Sequence, residues 1–316
     1  MSVYTTVEKS QLTAFLTRYD IGELVDYQGI SAGIENTNYF VDTTSGRYVL
    51  TLFESLPFDS IPYFLELTAF LAEHDVPCAH PVASRDGIYL HRLNDKPAAI
   101  VKRLQGSEIE IPDMGHAAAL GDALGHMHLV GQQFTLHQAN SRGPAWWVQT
   151  TRRLASHLDQ ADAGILQQEI DFQKKFCRLH LPSGLTHADL FKDNVLWHQD
   201  RLTGIIDFYY ACDDVLLYDI AVTANAWFCD RQGRLQQSLL TPFLQHYHQH
   251  RPLADDEHEA WPVMLRAAAL RFWLSRLNDM HFPKPGEITH TKNPDVFKTI
   301  LLNHIQLGER LKDYWL

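Results

Sequence analysis

The stretch LTHADLFKDNVL, residues 185–196, sets the pattern His-x-Asp-x-x-x-x-Asn between apolar residues. A second apolar run, residues 204–206, ends at the acid Asp207. Asp189 and Asn194 can lie at opposite ends of one short loop, so that a carboxylate faces one side and an amide the other. A base for an attacking hydroxyl and oxygen ligands for magnesium are the groups that phosphoryl transfer requires. The stretch therefore predicts a phosphoryl-transfer site.

The polar side chains of this region divide into a catalytic pair and a metal-binding pair. We predict that Asp189 orients the acceptor hydroxyl, with His187 as the second catalytic residue, and that Asn194 and Asp207 bind Mg²⁺. Two side chains suffice because magnesium keeps several waters and also binds phosphate oxygens. The alternative is a polar surface loop followed by an unrelated core strand. The complete loop with a second acid after it favours the catalytic interpretation.

The composition is that of a soluble globular protein. The 316 residues suit one large domain or two lobes, and 45% of them are hydrophobic and 21% charged. The net charge of -11 argues against a nucleic-acid or anionic-membrane partner. We expect a cytoplasmic protein, because no apolar run could span a bilayer and the N-terminus lacks a signal-peptide pattern. Neither the cysteines nor the histidines show metal-ligand spacing.

The catalytic stretch resembles that of the aminoglycoside-phosphotransferase and choline-kinase superfamily, the small-molecule relatives of protein kinases. Ala188 stands where the family's His-Gly-Asp pattern has glycine. Within the superfamily, the chain is similar along nearly its whole length to the bacterial homoserine kinases of this fold. The matching stretches are GRYVLTLFE (46–54), KPAAIV (96–101), RGPAWW (142–147), RLND (276–279) and PKPG (283–286).

The resemblance implies an α+β, two-lobed, protein-kinase-like fold. Residues 1–105 would form the N-terminal nucleotide-binding lobe, a five-stranded antiparallel sheet plus a helix. Residues 106–316 would form the larger, mainly helical C-terminal lobe, which carries the catalytic and substrate-binding residues. ATP and Mg²⁺ would bind in the cleft between the lobes. Asp219 would open a helix and anchor the catalytic loop by hydrogen bonds.

The same resemblance implies the reaction. The enzyme would phosphorylate the hydroxyl of L-homoserine to give O-phospho-L-homoserine for threonine synthesis. Another acceptor remains an alternative: choline or ethanolamine, an aminoglycoside, or a different hydroxylated metabolite. A pseudokinase acting as a non-catalytic binding module is a second alternative. The partner is thus a small molecule, and the sequence leaves the oligomeric state open.

Periodicity and turn residues place the N-terminal elements. Residues 1 to about 20 read as an amphipathic helix with a capping box at Thr5 and Glu8. Ile61–Glu73 reads as a second helix, with Pro62 in its first turn. The five predicted strands are Leu24–Ile30, Asn38–Asp42, Tyr48–Phe53, Ile88–Leu90 and Ala98–Leu104.

Two segments of this lobe are predicted to contact the nucleotide. Small residues in the loop after the first strand let backbone amides approach phosphates, and we assign Ser31, Ala32, Gly33 and Ile34 to this role. The last strand is predicted to lie at the sheet edge and to offer its backbone to adenine. Its contact residues would be Val101, Lys102 and Leu104. Ordinary glycine turns would use the same residues, so both assignments depend on their order along the chain.

The chain lacks the positively charged residue that protein kinases carry on the third strand. Thr51 stands where the third strand of protein kinases carries a phosphate-binding lysine. Either a nearby cation substitutes for it, or magnesium and backbone amides suffice. Glu66 matches the position of the helix glutamate that normally pairs with that lysine. The nearby cations are Arg47, Lys102 and Arg103.

Recognition of a hydroxy amino acid requires a cation for its carboxylate and an acid or a cage of carbonyl groups for its ammonium, and aromatic side chains could line the pocket. The candidates in the helical lobe, by residue type and placement, are Arg142, Tyr209, Arg271, Arg276 and Asp279. Each is equally compatible with a surface ion pair or with packing. His126 and His128, on a predicted helix from Met114 to Leu129, are expected to be partly exposed.

Overall fold

The computed structural model describes residues 5–30, 36–176, 180–283 and 292–316. They belong to two compact units, and the chain passes from the first to the second after Gly106. This boundary is one residue from the predicted one. The functional assignment of each unit remains a prediction.

The first unit contains the predicted five-stranded antiparallel sheet. Its strand order is β1-β2-β3-β5-β4, and each neighbouring pair is antiparallel. The strands are β1 (Leu24–Gly29), β2 (Asn36–Thr43), β3 (Gly46–Phe53), β4 (His91–Leu93) and β5 (Lys96–Lys102).

The fourth strand was placed wrongly. Residues 88–90 precede β4, which instead runs directly into a two-residue turn at Asn94 and Asp95. Both turn residues have positive φ, 50° and 61°, the conformation that tight hairpins require. This turn pairs Leu93 with Lys96 and so fixes which residues form the strand.

The prediction that the last strand lies at the sheet edge is also wrong. β5 lies between β3 and β4 in the sheet. β5 is longer than β4, and residues 80–82 pair with the part of β5 that β4 does not reach. The Val82 N–H donates to the Ile100 carbonyl at 2.8 Å, and the Lys102 N–H donates to the His80 carbonyl at 2.9 Å. The Lys102 amide is therefore already used within the unit.

One face of this sheet packs on helix α1 (Lys9–Leu16), where Leu12, Phe15 and Leu16 join a buried cluster with residues of β3 and β5. The helix is shorter than predicted, and its cap is different. Gln11 accepts the Glu8 N–H at 2.8 Å, whereas Thr5 donates its N–H to the Thr37 hydroxyl of β2. Thr5 is thus tied to the sheet before the helix begins. The second helix, α2 (Ile61–Glu73), has its predicted bounds.

The second unit is mainly helical. Two small antiparallel pairs, β6 (Ser183–Thr186) with β9 (Cys212–Val215) and β7 (Val195–His198) with β8 (Arg201–Ile205), flank the catalytic stretch. The helices are α3 (Met114–Gly131), α4 (Pro144–Leu154), α5 (Gln160–Lys174), α6 (Leu216–Trp227), α7 (Gln237–His250), α8 (Asp255–His281) and α9 (Asp295–Leu307).

Helices α3 and α7 approach each other unusually closely at two glycines of α3. A Cβ atom on Gly121 would overlap the Phe243 carbonyl oxygen, and one on Gly125 would lie 2.9 Å from the Tyr247 carbonyl oxygen. The absence of side chains here lets the α7 backbone lie against α3. This contact brings Tyr247 toward the far end of α3.

Within the described ranges, none of the helices combines the length and the apolar character needed to cross a bilayer.

Candidate active site

The catalytic loop begins at His187, directly after β6, and Asp219 holds its first two residues. The His187 N–H donates to Asp219 Oδ2 at 2.6 Å, and the Ala188 N–H donates to Oδ1 at 2.9 Å. Asp219 is fully buried in the first turn of α6. Ala188 has φ 60°, which turns the chain sharply and aims both amides at one carboxylate. The predicted anchoring role of Asp219 is confirmed.

A buried histidine supports this carboxylate from α3. His128 Nε2 lies 3.1 Å from Asp219 Oδ2, and the histidine is completely buried. Burial acts to raise the pKa of Asp219, but hydrogen bonding and charge from His128 and the His187 amide hold it below its usual range. The expectation that His128 is partly exposed was therefore wrong. It continues the apolar stripe of Leu120 and Leu124 at helical spacing, and that was the missed signal.

The support continues away from the loop through three more buried side chains. The Tyr247 hydroxyl is 2.7 Å from His128 Nδ1 and accepts from Arg251 Nε at 2.5 Å. Arg251 in turn makes a bidentate ion pair with Glu257, at 2.9 and 2.6 Å. We call Asp219, His128, Tyr247, Arg251 and Glu257 the anchor network. It ties the catalytic loop to α3, α7 and the start of α8.

The two ends of the predicted catalytic loop lie together. Asn194 Nδ2 donates to the Asp189 backbone carbonyl at 2.8 Å and lies 3.3 Å from Asp189 Oδ2. The amide nitrogen is thus directed at Asp189, which turns the amide oxygen of Asn194 the other way. Asn194 is buried, and its backbone carbonyl accepts the Ile206 N–H at 2.9 Å. Residues 189, 194 and 206 are therefore linked directly.

His187 joins the loop to the segment that carries Asp207. Its Nε2 lies 3.0 Å from the Ile206 carbonyl oxygen, and its ring packs on Phe208 at 4.6 Å between centroids. The side chain is completely buried, and burial lowers the pKa of its imidazole. Asp207 lies between these two contacts in a left-handed conformation, with φ 63° and ψ 57°, two residues after the end of β8.

The oxygens of Asn194 and Asp207 are suited to a hard divalent cation. No cluster of three or more His, Cys, Asp or Glu side chains able to hold a metal occurs in the part of the chain that the structure describes. A complete protein-built metal cage is therefore absent from those residues. Two oxygen donors are compatible with magnesium, which takes its other ligands from phosphates and water.

Arg271 lies beside Asp189, and Arg142 approaches an aromatic ring that Arg271 also approaches. Arg271 Nη1 lies 3.3 Å from Asp189 Oδ1, and the arginine is 3% exposed. Its guanidinium carbon is 5.0 Å from the centre of the Tyr210 ring, and that of Arg142 is 5.6 Å from the same centre. Two of the predicted substrate-binding residues, distant in sequence, therefore meet at one tyrosine. Tyr210 itself was not predicted.

The other predicted acceptor residues are placed less directly. Tyr209 is half-buried in the short turn between Asp207 and Tyr210. Asp279 is exposed, eight residues beyond Arg271 on α8, which is a rise of about 12 Å along the axis. The structure does not bring Asp279 to the loop.

Arg276 lies between these positions on α8. It donates to the Asn293 carbonyl at 2.8 Å and faces the Phe297 ring. Burial lowers the pKa of its guanidinium to about 10, although Asp193 and Asp189 act in the opposite direction. Arg276 thus places a half-buried positive charge near the carboxylates of Asp193 and Asp189.

A cavity of about 640 Å³ adjoins the same loop at residues 191–193. Its walls carry both acids and bases, a combination that suits a small zwitterion. The charged residues lining it are Glu108, Glu110, Lys192, Asp193, Asp230 and Arg276.

In the first unit, the predicted nucleotide contacts are less complete. Ser31, Ala32, Gly33 and Ile34 lie outside the described residues. The Val101 side chain is half-buried in β5, and Leu104 follows the end of that strand. Adenine binding by this segment remains a prediction.

The structure also shows what surrounds the threonine that replaces the kinase lysine. The Thr51 hydroxyl is buried and donates to Asn38 Oδ1 at 2.8 Å. Glu66 is exposed. The sheet instead contains an ion pair that the sequence reasoning missed, Lys96 with Glu54 at 3.0 Å. Leu52 of β3 pairs with Ala98 of β5, so the same register places Glu54 opposite Lys96. The register of the two strands could therefore have predicted this ion pair.

Comparison with known proteins defines the class. The pattern of the "Phosphotransferase enzyme family" matches residues 26–253, and the chain belongs to this family. The predicted enzyme class is thereby confirmed. A curated homoserine kinase of Methylobacillus flagellatus is 48% identical over 315 residues, covering 100% of this chain and 99% of the relative. One of Neisseria meningitidis serogroup B is 45% identical, covering 96% and 99%.

Solved structures confirm the kinase-like fold. An amicoumacin kinase, hAmiN, in complex with AMP-PNP, Ca²⁺ and Ami, superposes with a TM-score of 0.69 at 17% identity, covering 96% of this chain and 94% of that one. A microcompartment-associated aminopropanol kinase gives a TM-score of 0.67 at 18% identity, covering 97% and 98%. At this level of identity the likeness concerns the fold alone.

Proposed function

We propose that the protein transfers the γ-phosphoryl group of ATP to the side-chain hydroxyl of L-homoserine, giving O-phospho-L-homoserine. The observation that carries the reaction type is the loop in which Asn194 binds both the backbone and the side chain of Asp189. The acceptor is supported by full-length relatives, up to 48% identical, that are named homoserine kinases.

In this proposal Asp189 is the residue that contacts the reacting hydroxyl. The hydroxyl oxygen forms a bond to the γ-phosphorus as the bond to the β,γ-bridging oxygen breaks, and ADP leaves with that electron pair. The hydroxyl proton passes to Asp189 and then to solvent. Because the transition state of phosphoryl transfer is loose, orientation of the hydroxyl contributes more than the strength of the base.

The remaining loop residues hold this arrangement. Asn194 and Asp207 would bind Mg²⁺, which, when bound, neutralises phosphate charge. His187 is completely buried against Ile206 and Phe208, so we assign it a positioning role rather than contact with the acceptor. It keeps the Asp189 and Asp207 segments in register.

The positive charges near Asp189 indicate which kind of acceptor the site favours. Arg271 is in contact with it, and Arg276 lies close enough for its pKa to respond to the Asp189 charge. These cations disfavour a purely cationic acceptor such as choline and favour one that carries an anion. An acceptor with a carboxylate, such as L-homoserine, fits this balance of charge.

The nucleotide-binding roles of Ser31, Ala32, Gly33, Ile34, Val101, Lys102 and Leu104 are part of the same proposal, as are the acceptor-binding roles of Arg142, Tyr209 and Arg271. We do not extend the acceptor-binding role to Asp279, which lies too far along α8. We also propose a cytoplasmic location, where ATP and free amino acids are available. No nucleic-acid or membrane partner is required for this reaction.

The deciding experiment measures ADP release with Mg-ATP against homoserine, serine, threonine, choline, ethanolamine and kanamycin. We expect turnover with homoserine and none with the Asp189→Asn variant, whose affinity for ATP should stay within a few-fold. Turnover with another acceptor only would reject homoserine. Wild-type turnover by Asp189→Asn would reject the role of Asp189. Failure to bind Mg-ATP at all would favour the non-catalytic alternative.

A further inference from the structure

The contacts of the arginines near Tyr210 distinguish an arginine that holds Asp189 from one that is available to bind the acceptor, which the sequence alone could not do. Arg271 contacts Asp189 Oδ1 at 3.3 Å, so this guanidinium already has an acidic partner in the catalytic loop. Arg276 donates to the Asn293 backbone carbonyl at 2.8 Å. In the described part of the chain, no carboxylate lies within ion-pair distance of Arg142. Its guanidinium is half-buried and packs on aromatic rings instead.

Arg142 is held in place by its backbone. Its N–H donates to Asn140 Oδ1 at 2.7 Å, and its carbonyl accepts the Trp147 indole N–H at 2.6 Å. The Asn140 side chain is in turn bound to Asp214. The guanidinium lies 4.6 Å from the Trp146 ring centre and 5.6 Å from that of Tyr210. An arginine fixed at both backbone groups and stacked on rings has lost much of its side-chain freedom before any ligand arrives.

Arg142 is connected to Asp189 through Tyr210 and Arg271. Arg142 and Arg271 approach the same Tyr210 ring, and Arg271 is in direct contact with Asp189. Arg142 thus shares an aromatic neighbour with the arginine that contacts the catalytic carboxylate. A guanidinium binds a carboxylate through two parallel hydrogen bonds, which fixes the orientation of the ligand as well as its charge.

We infer that Arg142 binds the α-carboxylate of the acceptor and thereby selects hydroxy amino acids over amino alcohols. In this arrangement Arg142 binds the acceptor and Arg271 holds Asp189, with the Tyr210 ring near both guanidinium groups. This inference rests on the proposed function, because it requires an acceptor that carries a carboxylate. The competing explanation is that Arg142 only stacks on Trp146 and Tyr210 as part of the surface.

The test compares two acceptors that differ by the carboxylate alone: L-homoserine and 3-amino-1-propanol. Steady-state kcat and KM are measured for both with the wild type, Arg142→Gln and Arg142→Lys. Arg153→Gln serves as a matched control, because Arg153 also stacks on an aromatic ring, that of Phe282 at 3.8 Å, but belongs to the exposed end of α4. Thermal melting and ATP binding establish that each variant is folded.

For Arg142→Gln, we expect the preference for homoserine over 3-amino-1-propanol, taken as the ratio of their kcat/KM values, to fall about 10- to 100-fold, as expected for one lost charge-assisted pair. The loss should appear in KM for homoserine, with Arg142→Lys intermediate. Equal losses on both acceptors, or an unchanged preference, would overturn the inference. No turnover of homoserine by the wild type would instead refute the proposed function, so the two failures are distinguishable.

Discussion

Asp189 and Arg271 form an ion pair in which Asp189 Oδ1 lies 3.3 Å from Arg271 Nη1. Asp189 Oδ2 lies at the same distance, 3.3 Å, from the side-chain nitrogen of Asn194. Each carboxylate oxygen therefore has a nitrogen donor beside it, one from α8 and one from its own loop. The carboxylate of Asp189 is restrained from both sides, as a residue that orients a hydroxyl should be.

Replacement of Arg271 should therefore lower kcat more than it changes binding. For Arg271→Gln we expect a fall in kcat of about 10- to 100-fold, because Asp189 loses one of its two restraints. The KM for ATP should change little. Steady-state kinetics with saturating acceptor measure this. Since loss of one member of a buried pair can destabilise a protein by about 3–5 kcal/mol, assays must be run well below the melting temperature of the variant. An unchanged kcat would mean that Asp189 is oriented without Arg271.

The metal assignment predicts a linkage between ATP and magnesium. Asp207→Ala should weaken ATP binding in the presence of Mg²⁺ about 10-fold or more, while binding in EDTA should stay close to that of the wild type. Isothermal titration of ATP under both conditions gives the two affinities. Equal ATP affinity of the variant and the wild type in Mg²⁺ would show that another residue is the metal ligand.

The anchor network predicts a catalytic effect from a residue that is not in the catalytic loop. Tyr247→Phe removes the hydroxyl between His128 and Arg251 and leaves two buried polar groups poorly satisfied. We expect a loss of stability of about 1–3 kcal/mol and a several-fold fall in kcat at an unchanged KM for ATP. Urea unfolding and steady-state kinetics on the same preparation provide both values.

Tyr218→Phe is the control for this experiment. Tyr218 is also buried, beside Asp219 on α6, but its hydroxyl has no hydrogen-bond partner among the residues described. Its removal should lower neither the stability nor kcat, because no hydrogen bond is lost. If both variants behaved alike, the effect of Tyr247 would be general packing rather than support of the loop.

A histidine distant from the catalytic loop in sequence should make stability depend on pH. His304 is completely buried, its Nε2 lies 2.8 Å from Asn225 Oδ1, and burial lowers its pKa from 6.5 to about 3. Between pH 6.5 and about 3, His304 is protonated in the unfolded chain but not in the folded protein. The free energy of unfolding is therefore highest above pH 6.5 and falls as the pH decreases toward 3. The slope is about 1.4 kcal/mol per pH unit for one such histidine.

His304→Gln removes this titration while keeping a hydrogen-bonding side chain. The free energy of unfolding, measured in urea between pH 7.5 and 5, should fall less steeply with decreasing pH in the variant than in the wild type. His128 and His187 also have lowered pKa values, so some dependence will remain. Parallel curves for the two proteins would contradict the burial argument.

The conformation of Ala188 predicts a stabilising change inside the catalytic stretch. Its φ of 60° disfavours any side chain by about 1–2 kcal/mol, whereas a glycine loses only about 0.4–1 kcal/mol through the greater freedom of the unfolded chain. Ala188→Gly should therefore raise the free energy of unfolding by up to about 1 kcal/mol. Ala211→Gly, at an ordinary φ of -58°, should lower it. Destabilisation by both would show that the Ala188 methyl contributes packing that outweighs the strain.

The catalytic loop could be predicted because its chemistry fixes both residue type and spacing. Asp189, Asn194 and Asp207 are close in sequence, and the β7–β8 hairpin between them has a clear apolar pattern. The sheet of the first unit was predicted for a similar reason, but β4 was misplaced because a two-residue turn, rather than hydrophobicity, sets its bounds.

The contacts that complete the site depend on tertiary structure and were not predictable. Arg142 and Arg271 meet at Tyr210 only because the loop before α4, helix α8 and the turn after β8 come together in the fold. His128 was taken for a surface residue because a polar side chain on an amphipathic helix is usually exposed. A buried carboxylate on another helix reverses that expectation, and the local signal was the position of His128 on the same helix face as Leu120 and Leu124.

The two glycines of α3 extend the set of residues on which catalysis depends. Gly121 and Gly125 carry no functional group, yet they allow the close helix contact through which Tyr247 reaches His128. A comprehensive mutational scan scored by growth would therefore mark both positions as intolerant, alongside Asp189. Substitution there would be harmful because a side chain would push α7 away from α3. An inhibitor that increased the distance between these helices would lower activity without competing with ATP or the acceptor.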